Sequence, residues 1–151
     1  MRRKDRMLTK SESLSILEKG EYGILSTVSS NNVPYGVPLN YCIMDDCIYF
    51  HCAIEGIKID NIENNPNVSF CVVGRAKVLP ERFTSLYKSC IVSGLASEAF
   101  GREKLTALGK LIHKYSKNHM PEGLEYIEKL KDKTRVFKVA FENISGKANK
   151  P

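Results

Sequence analysis

The stretch "YFHCAIEGIKIDNIENNP", Tyr49 to Pro66, changes character part-way along. Tyr49, Phe50, His51 and Cys52 are bulky and mostly apolar, the composition of a strand. Gly56 supplies a turn. Lys58 to Asn64 reads as a short helix that Pro66 ends. The chain's first histidine therefore sits at a strand's end, and a lysine sits at the following helix's start.

Upstream, Thr9 and Glu12 have capping-box spacing and Gly20 supplies a stop, so a helix is predicted over Lys10 to Lys19. "YGILSTVSS" reads as a strand and the following "NN" as a turn. "VPYGVPLNYCIM" is extended, because Pro34 and Pro38 exclude helix. Two prolines in it point to an edge strand or a bulge. Asp45 and Asp46 make a hairpin turn into "CIYFHC", and these three strands read as a meander.

Downstream, "NVSFCVVG" is a strand and "RAKVLPERF" a loop or hairpin. "TSLYKSCIVSGLA" has a β-rich centre. From Ser97 the pattern becomes helical, with Leu105, Leu108, Leu111 and Ile112 on one face. Pro121 is placed to open a second helix, and "TRVFKVAFENI" alternates as a final strand. Hairpins without regular βαβ units point to an antiparallel sheet. About six strands around one core would close into a small barrel, leaving few exposed edges.

The chain has 151 residues, which suits one domain over 1–151. No apolar run approaches the roughly 20 residues of a membrane span. The opening "MRRKDRMLTKSES" has charge but no apolar core, so a cytoplasmic protein is expected. Five cysteines without a C-x-x-C pair argue against a disulfide framework or a structural zinc site and for small buried hydrophobes. The net charge of +6 would suit a phosphate-bearing ligand. No basic–aromatic constellation supports nucleic-acid binding.

Two readings of the junction at Gly56 stand side by side. It is an ordinary connection, or it is a phosphate seat in which the helix start, Gly56 and Lys58 face an anion. His51 likewise is either a structural strand-end histidine or a group that exchanges protons near neutrality. His113 and His119 belong to a lysine-rich helix and its end, and are expected to face solvent.

The chain resembles the pyridoxamine 5′-phosphate oxidase-like flavin proteins, and among them the nitroimidazole-resistance (Nim) branch. The resemblance rests on "MRRKDR", "VPYGVPLNY", "IYFHCAIEGIKIDNIENNPNVSF", "KSCIVSGLA" and "ISGK", in that order along nearly the whole chain. It implies a mainly β fold with accessory helices, a six-stranded antiparallel split β-barrel. It also implies a homodimer with FMN between subunits. By position, Lys58 and Gly56 would meet the FMN phosphate, and Pro38, Leu39 and Asn40 would line the isoalloxazine. His51, Cys52 and Ala53 would lie beside the ribityl chain and ring, and Ser89 and Val92 would come from the partner subunit. Where true pyridoxamine phosphate oxidases hold the phosphate with an arginine–lysine pair, this chain has "EGIK". It also lacks their carboxyl-terminal substrate motif, so the vitamin B6 reaction itself is not implied. The implied activity is an oxidoreductase in which His51 would contact the acceptor; its ordinary pKa suits it to deliver a proton near neutrality. The enzyme would reduce a small acceptor, a nitroaromatic among the candidates, at the expense of a transiently bound nicotinamide. The alternative is a non-catalytic flavin or haem binder.

Overall fold

A computed structural model describes residues 2–150. After a two-residue strand β1 (Met7–Leu8), helix α1 spans Lys10–Lys19. Its capping box is complete: the Thr9 Oγ1 accepts from the Glu12 N–H, and the Glu12 carboxylate accepts from the Thr9 N–H at 2.9 Å. Strands β2 (Gly23–Val28), β3 (Pro34–Leu39), β4 (Cys42–Met44) and β5 (Cys47–Cys52) follow, then helix α2 (Ile57–Asn64). Next come β6 (Asn67–Val73), β7 (Lys77–Leu79) and the long β8 (Thr84–Ala99). Helices α3 (Gly101–Tyr115) and α4 (Met120–Leu130) lead to β9 (Arg135–Asn149).

All strand pairs are antiparallel, and the main path runs β3-β2-β6-β8-β9-β5-β4, with β1 on β9 and β7 on β8. The sheet thus has nine strands rather than six. The surplus comes from short pieces: β1 has two residues, β4 is split off from the extended run that also holds β3, and β7 is the first arm of the expected loop or hairpin, with three residues each in β4 and β7.

The expected meander is also corrected. β2 pairs with β3, and β4 with β5, but β3 and β4 lie at opposite ends of the strand order. Only Asn40 and Tyr41 separate them, so Leu39 and Cys42 are at most about 11 Å apart. The two ends of the path must therefore meet, and the sheet curls into a split barrel. The interior agrees: Leu25 of β2, Phe50 of β5, Phe70 of β6, Val92 of β8 and Val139 of β9 share one core, with Val37 of β3 packed against it. β3 is an edge, as its two prolines require.

Tyr41 fixes the corner where the ends meet. Its ring is buried edge-on against Phe70, with centroids 5.0 Å apart. Its hydroxyl donates to the Leu17 carbonyl of α1. Its N–H donates to the Tyr115 hydroxyl at 3.0 Å, and that hydroxyl donates to the Glu21 carbonyl at 2.6 Å. Burial pushes the Tyr41 phenol well above its ordinary pKa.

A second, outer core joins Tyr49 of β5 and Val136 of β9 to Ala107, Leu108 and Leu111 of α3. Cys42, Cys52 and Cys90 are buried and Cys47 and Cys71 half-buried, all free thiols. Burial raises Cys42 and Cys90 to about 11, so they pack as small protonated hydrophobes. Among the described residues no helix is long and apolar enough to cross a membrane.

Candidate functional site

β5 presents alternate faces. Ile48, Phe50 and Cys52 point into the barrel, and Cys47 and Tyr49 lie on the outer face under α3. His51 follows on that outer face, partly open to solvent, opposite Val136. By register Asn40 lies two positions before Cys42, and His51 two after its partner Tyr49. Both therefore belong to the corner where the barrel's ends meet.

Ala53, Ile54 and Glu55 carry the chain off β5, all exposed. Gly56 then takes φ +144° and ψ 162° and forms the N-cap of α2, a conformation open to glycine alone. A Cβ there would meet nothing within 4 Å. The glycine is thus required by backbone conformation, not by crowding. The Ile59 and Asp60 N–H groups both turn back to the Gly56 carbonyl, at 2.8 and 3.2 Å. The N–H groups of Ile57 and Lys58 precede them in the first turn, where a helix supplies no acceptor. Lys58 is half-buried in that turn.

His51 and Lys58 influence one another. Partial burial first, and the Lys58 charge second, lower the His51 pKa below its ordinary value. The imidazole is therefore mainly neutral at pH 7. Cys52 is raised by burial, with Lys58 and Arg135 opposing, and its side chain belongs to the core. Only its backbone can face a ligand on this side.

α2 is anchored through its buried face. The buried Asn61 amide donates to the Thr27 hydroxyl of β2 at 2.9 Å, and Ile59 and Ile62 enter the main core. The C-terminal half is held by a residue that local sequence pattern does not mark. Arg135, opposite Cys52 in the sheet, donates to Glu98 at 3.0 and 2.6 Å and to Glu63 of α2 at 2.9 Å. It also reaches toward the Ile54 carbonyl at 3.5 Å. One guanidinium thus ties β8, β9, the 53–56 turn and α2 together. Its charge is engaged by the two carboxylates.

The side chains of Arg135 and Glu98 are only 24% and 19% exposed, so their hydrogen bonds are partly shielded from water. Arg135→Met is expected to cost about 1.5–3 kcal/mol, because Glu98 would lose both of its bonds. Urea denaturation measures this; an unchanged midpoint would mean the brace is ornamental.

The remaining sequence-predicted residues divide. Pro38 and Asn40 are exposed and Leu39 half-buried just before the corner, and the Asn40 amide donates to the Glu21 carbonyl at 3.2 Å. Ser89 is elsewhere: it pairs with Val73 and with Lys147, near the far end of β9 from His51. Val92 lies fully inside the barrel, so its side chain cannot reach a ligand outside. His113 and His119 are exposed, as expected.

This arrangement has relatives. Residues 9–148 match the family model of pyridoxamine 5′-phosphate oxidase. The chain belongs to that family. Among solved structures, this member of the pyridoxamine 5′-phosphate oxidase family is similar to a candidate 5-nitroimidazole antibiotic resistance protein from Bacteroides thetaiotaomicron. The two share 22% identity over 95% of this chain and 90% of that one, with a TM-score of 0.76. It is also similar to a FAD-binding protein from Mesorhizobium loti, at 24% identity, 96% and 98% coverage and a TM-score of 0.66. A third is the haem storage protein HutZ from Vibrio cholerae, at 16% identity, 89% and 92% coverage and a TM-score of 0.66. At these identities the likenesses establish the fold. No curated protein matches the chain.

Proposed function

We propose that the protein is an FMN-binding homodimer of the Nim branch that passes electrons from a nicotinamide to a small acceptor. The observation that carries this reading is the junction itself. A helix start with two unengaged N–H groups, a glycine in a conformation only glycine adopts, and Lys58 converge beside a mainly neutral histidine. Helix N-termini and lysine suit a phosphate dianion. The donor set fits the phosphate end of FMN. The fold is shared with proteins named for binding FAD and for storing haem.

When bound, FMN would supply the redox chemistry, and the protein would position it. Lys58 and the first turn of α2 would hold the phosphate. Pro38, Leu39 and Asn40 would border the ring, with the backbone of Cys52 and Ala53 alongside. His51 would hold a proton at its ring nitrogen for the acceptor. A nitroaromatic is the acceptor class that the Nim resemblance favours. Five free cysteines suit a reducing cytoplasm.

A second copy would complete the site. Val73, Ile91 and Leu95, on the outer face of β6 and β8, are 60%, 45% and 42% exposed. Ile91 pairs directly with Cys71 of β6. Such an apolar sheet face suits an obligate interface, which buries about 2,000 Å² or more. Ser89, on the same face of β8, would be brought by it to the partner's flavin.

The absorption spectrum of the purified protein tests the cofactor. Flavin bands support the reading, and a Soret band would favour a haem binder instead. Flavin without acceptor-dependent oxidation of NADH or NADPH would leave a binder rather than an enzyme. A monomer by light scattering at micromolar concentration with FMN bound would rule out the dimer.

Lys58→Ala is expected to weaken FMN binding by about 1.5–3 kcal/mol, the range for hydrogen bonds to charged groups. Riboflavin has no phosphate and should be nearly indifferent to the change. Titrations of the two ligands compare them; equal losses would remove Lys58 from the phosphate.

A further inference from the structure

A cavity of about 620 Å³ lies between α1, the end of β6 and the β7–β8 hairpin. Its volume falls within the range of small-molecule sites. Half-buried Ile16, Leu8 and Leu86 supply its apolar wall. Lys19, Arg75, Lys77 and Lys88 surround that wall. None of these four has an ion-pair partner among the described residues. The cavity's one acid, Glu12, is already engaged by Lys150 at 3.3 Å and by Thr9. Beside the same wall, Lys147 and then Arg6 draw the Tyr87 phenol below its ordinary pKa, which marks the region as electropositive.

The cavity is remote from the flavin seat of its own chain. His51 pairs with Val136 near the start of β9, whereas Asn149 at the cavity's edge ends that strand. About 40 Å of strand separates them.

From this geometry we infer that the cavity is a second binding site, for a small amphipathic organic anion. An apolar body would lie on the wall at Ile16 and Leu86. A carboxylate, sulfonate or phosphate head would meet Arg75, Lys77 and Lys88. The charge balance selects the sign of the ligand, because four cations stand there without counter-charge. The apolar wall selects against a bare inorganic ion, which would leave Leu8, Ile16 and Leu86 uncovered.

Fluorescence titration of the flavin-loaded protein with anilinonaphthalene sulfonate tests the site, with the uncharged N-phenylnaphthylamine as its neutral counterpart. The sulfonate probe is expected to bind once per chain, and more weakly as salt rises. The neutral probe should bind far less. Arg75→Ala and Lys88→Ala, both at the surface, should each weaken the sulfonate probe about 3- to 5-fold, and together roughly tenfold. FMN affinity should be unchanged in Arg75→Ala. Equal binding of the neutral probe, or no response to either substitution, would overturn the site. Displacement of the probe by added FMN would overturn it as a separate site while leaving flavin binding intact.

Discussion

Gly94→Ala is expected to destabilise the protein by about 3 kcal/mol or more, at the upper end of what an overpacked interior costs. A Cβ at this position would penetrate the Ala140 carbonyl oxygen and stand 3.0 Å from its carbon and 3.4 Å from the Glu142 nitrogen. All three atoms are backbone, so no side chain can swing aside. The site is also where the β8–β9 register shifts: Ser93 pairs with Asn143, but Gly94 pairs with Phe141, leaving Glu142 as the extra residue.

That bulge bears on the candidate site. Beyond it the two strands stay in step to Ala99 and Val136, which sets Glu98 beside Arg135. A displaced β8 would loosen the guanidinium that braces α2. The Gly94→Ala variant should therefore lose flavin affinity along with stability. Urea midpoints and FMN titration test the two effects. A variant with wild-type midpoint would show that β9 moves away freely at the bulge.

Much of this fold is legible in local pattern. The Thr9–Glu12 box, the Asp45–Asp46 turn and the 57–64 helix all follow from residues within a few positions of one another. The turn is made as that pair suggests, with φ 51° and 54°. What local pattern misses is set by distant partners. "VPYGVPLNYCIM" is one extended run in sequence, yet Asn40 and Tyr41 break it between opposite ends of the sheet. Nothing in that run announces the break, because Leu17, Glu21 and Tyr115 enforce it. Ser97, Glu98 and Ala99 suit a helix. They are strand because Val136, Phe137 and Lys138 pair with them, so tertiary context overrides propensity.

The candidate site divides in the same way. His51, Gly56 and Lys58 lie within eight positions and are readable as a unit. Arg135 is more than seventy positions away, and an arginine at the start of a strand ordinarily reads as a solvated charge. Its two carboxylate partners come from β8 and α2, so only the folded chain shows that it holds the junction.

His51→Ala is expected to slow reduction of a proton-consuming acceptor about 10²–10⁴-fold, the usual loss when a positioned acid is removed. FMN affinity should change little, because on the proposed reading Lys58 and the α2 start would carry the phosphate. Oxidation of the nicotinamide needs no proton from His51 and should be spared. The pH dependence separates chemistry from structure. Partial burial and then Lys58 lower the His51 pKa, so the neutral form predominates at pH 7 and the imidazolium fraction grows as pH falls. The acceptor half-reaction should accelerate toward acid and level off below the His51 pKa, which lies under the ordinary 6.5. A phosphate on Lys58 offsets the second cause of that lowering, so FMN should give a higher apparent pKa than riboflavin. His51→Gln keeps a hydrogen-bond donor but cannot titrate, and it should flatten the profile. Stopped-flow measurement of the two half-reactions across pH 5–8 tests both effects. An acceptor rate indifferent to pH in wild type and unchanged in His51→Ala would return His51 to a structural place at the end of β5.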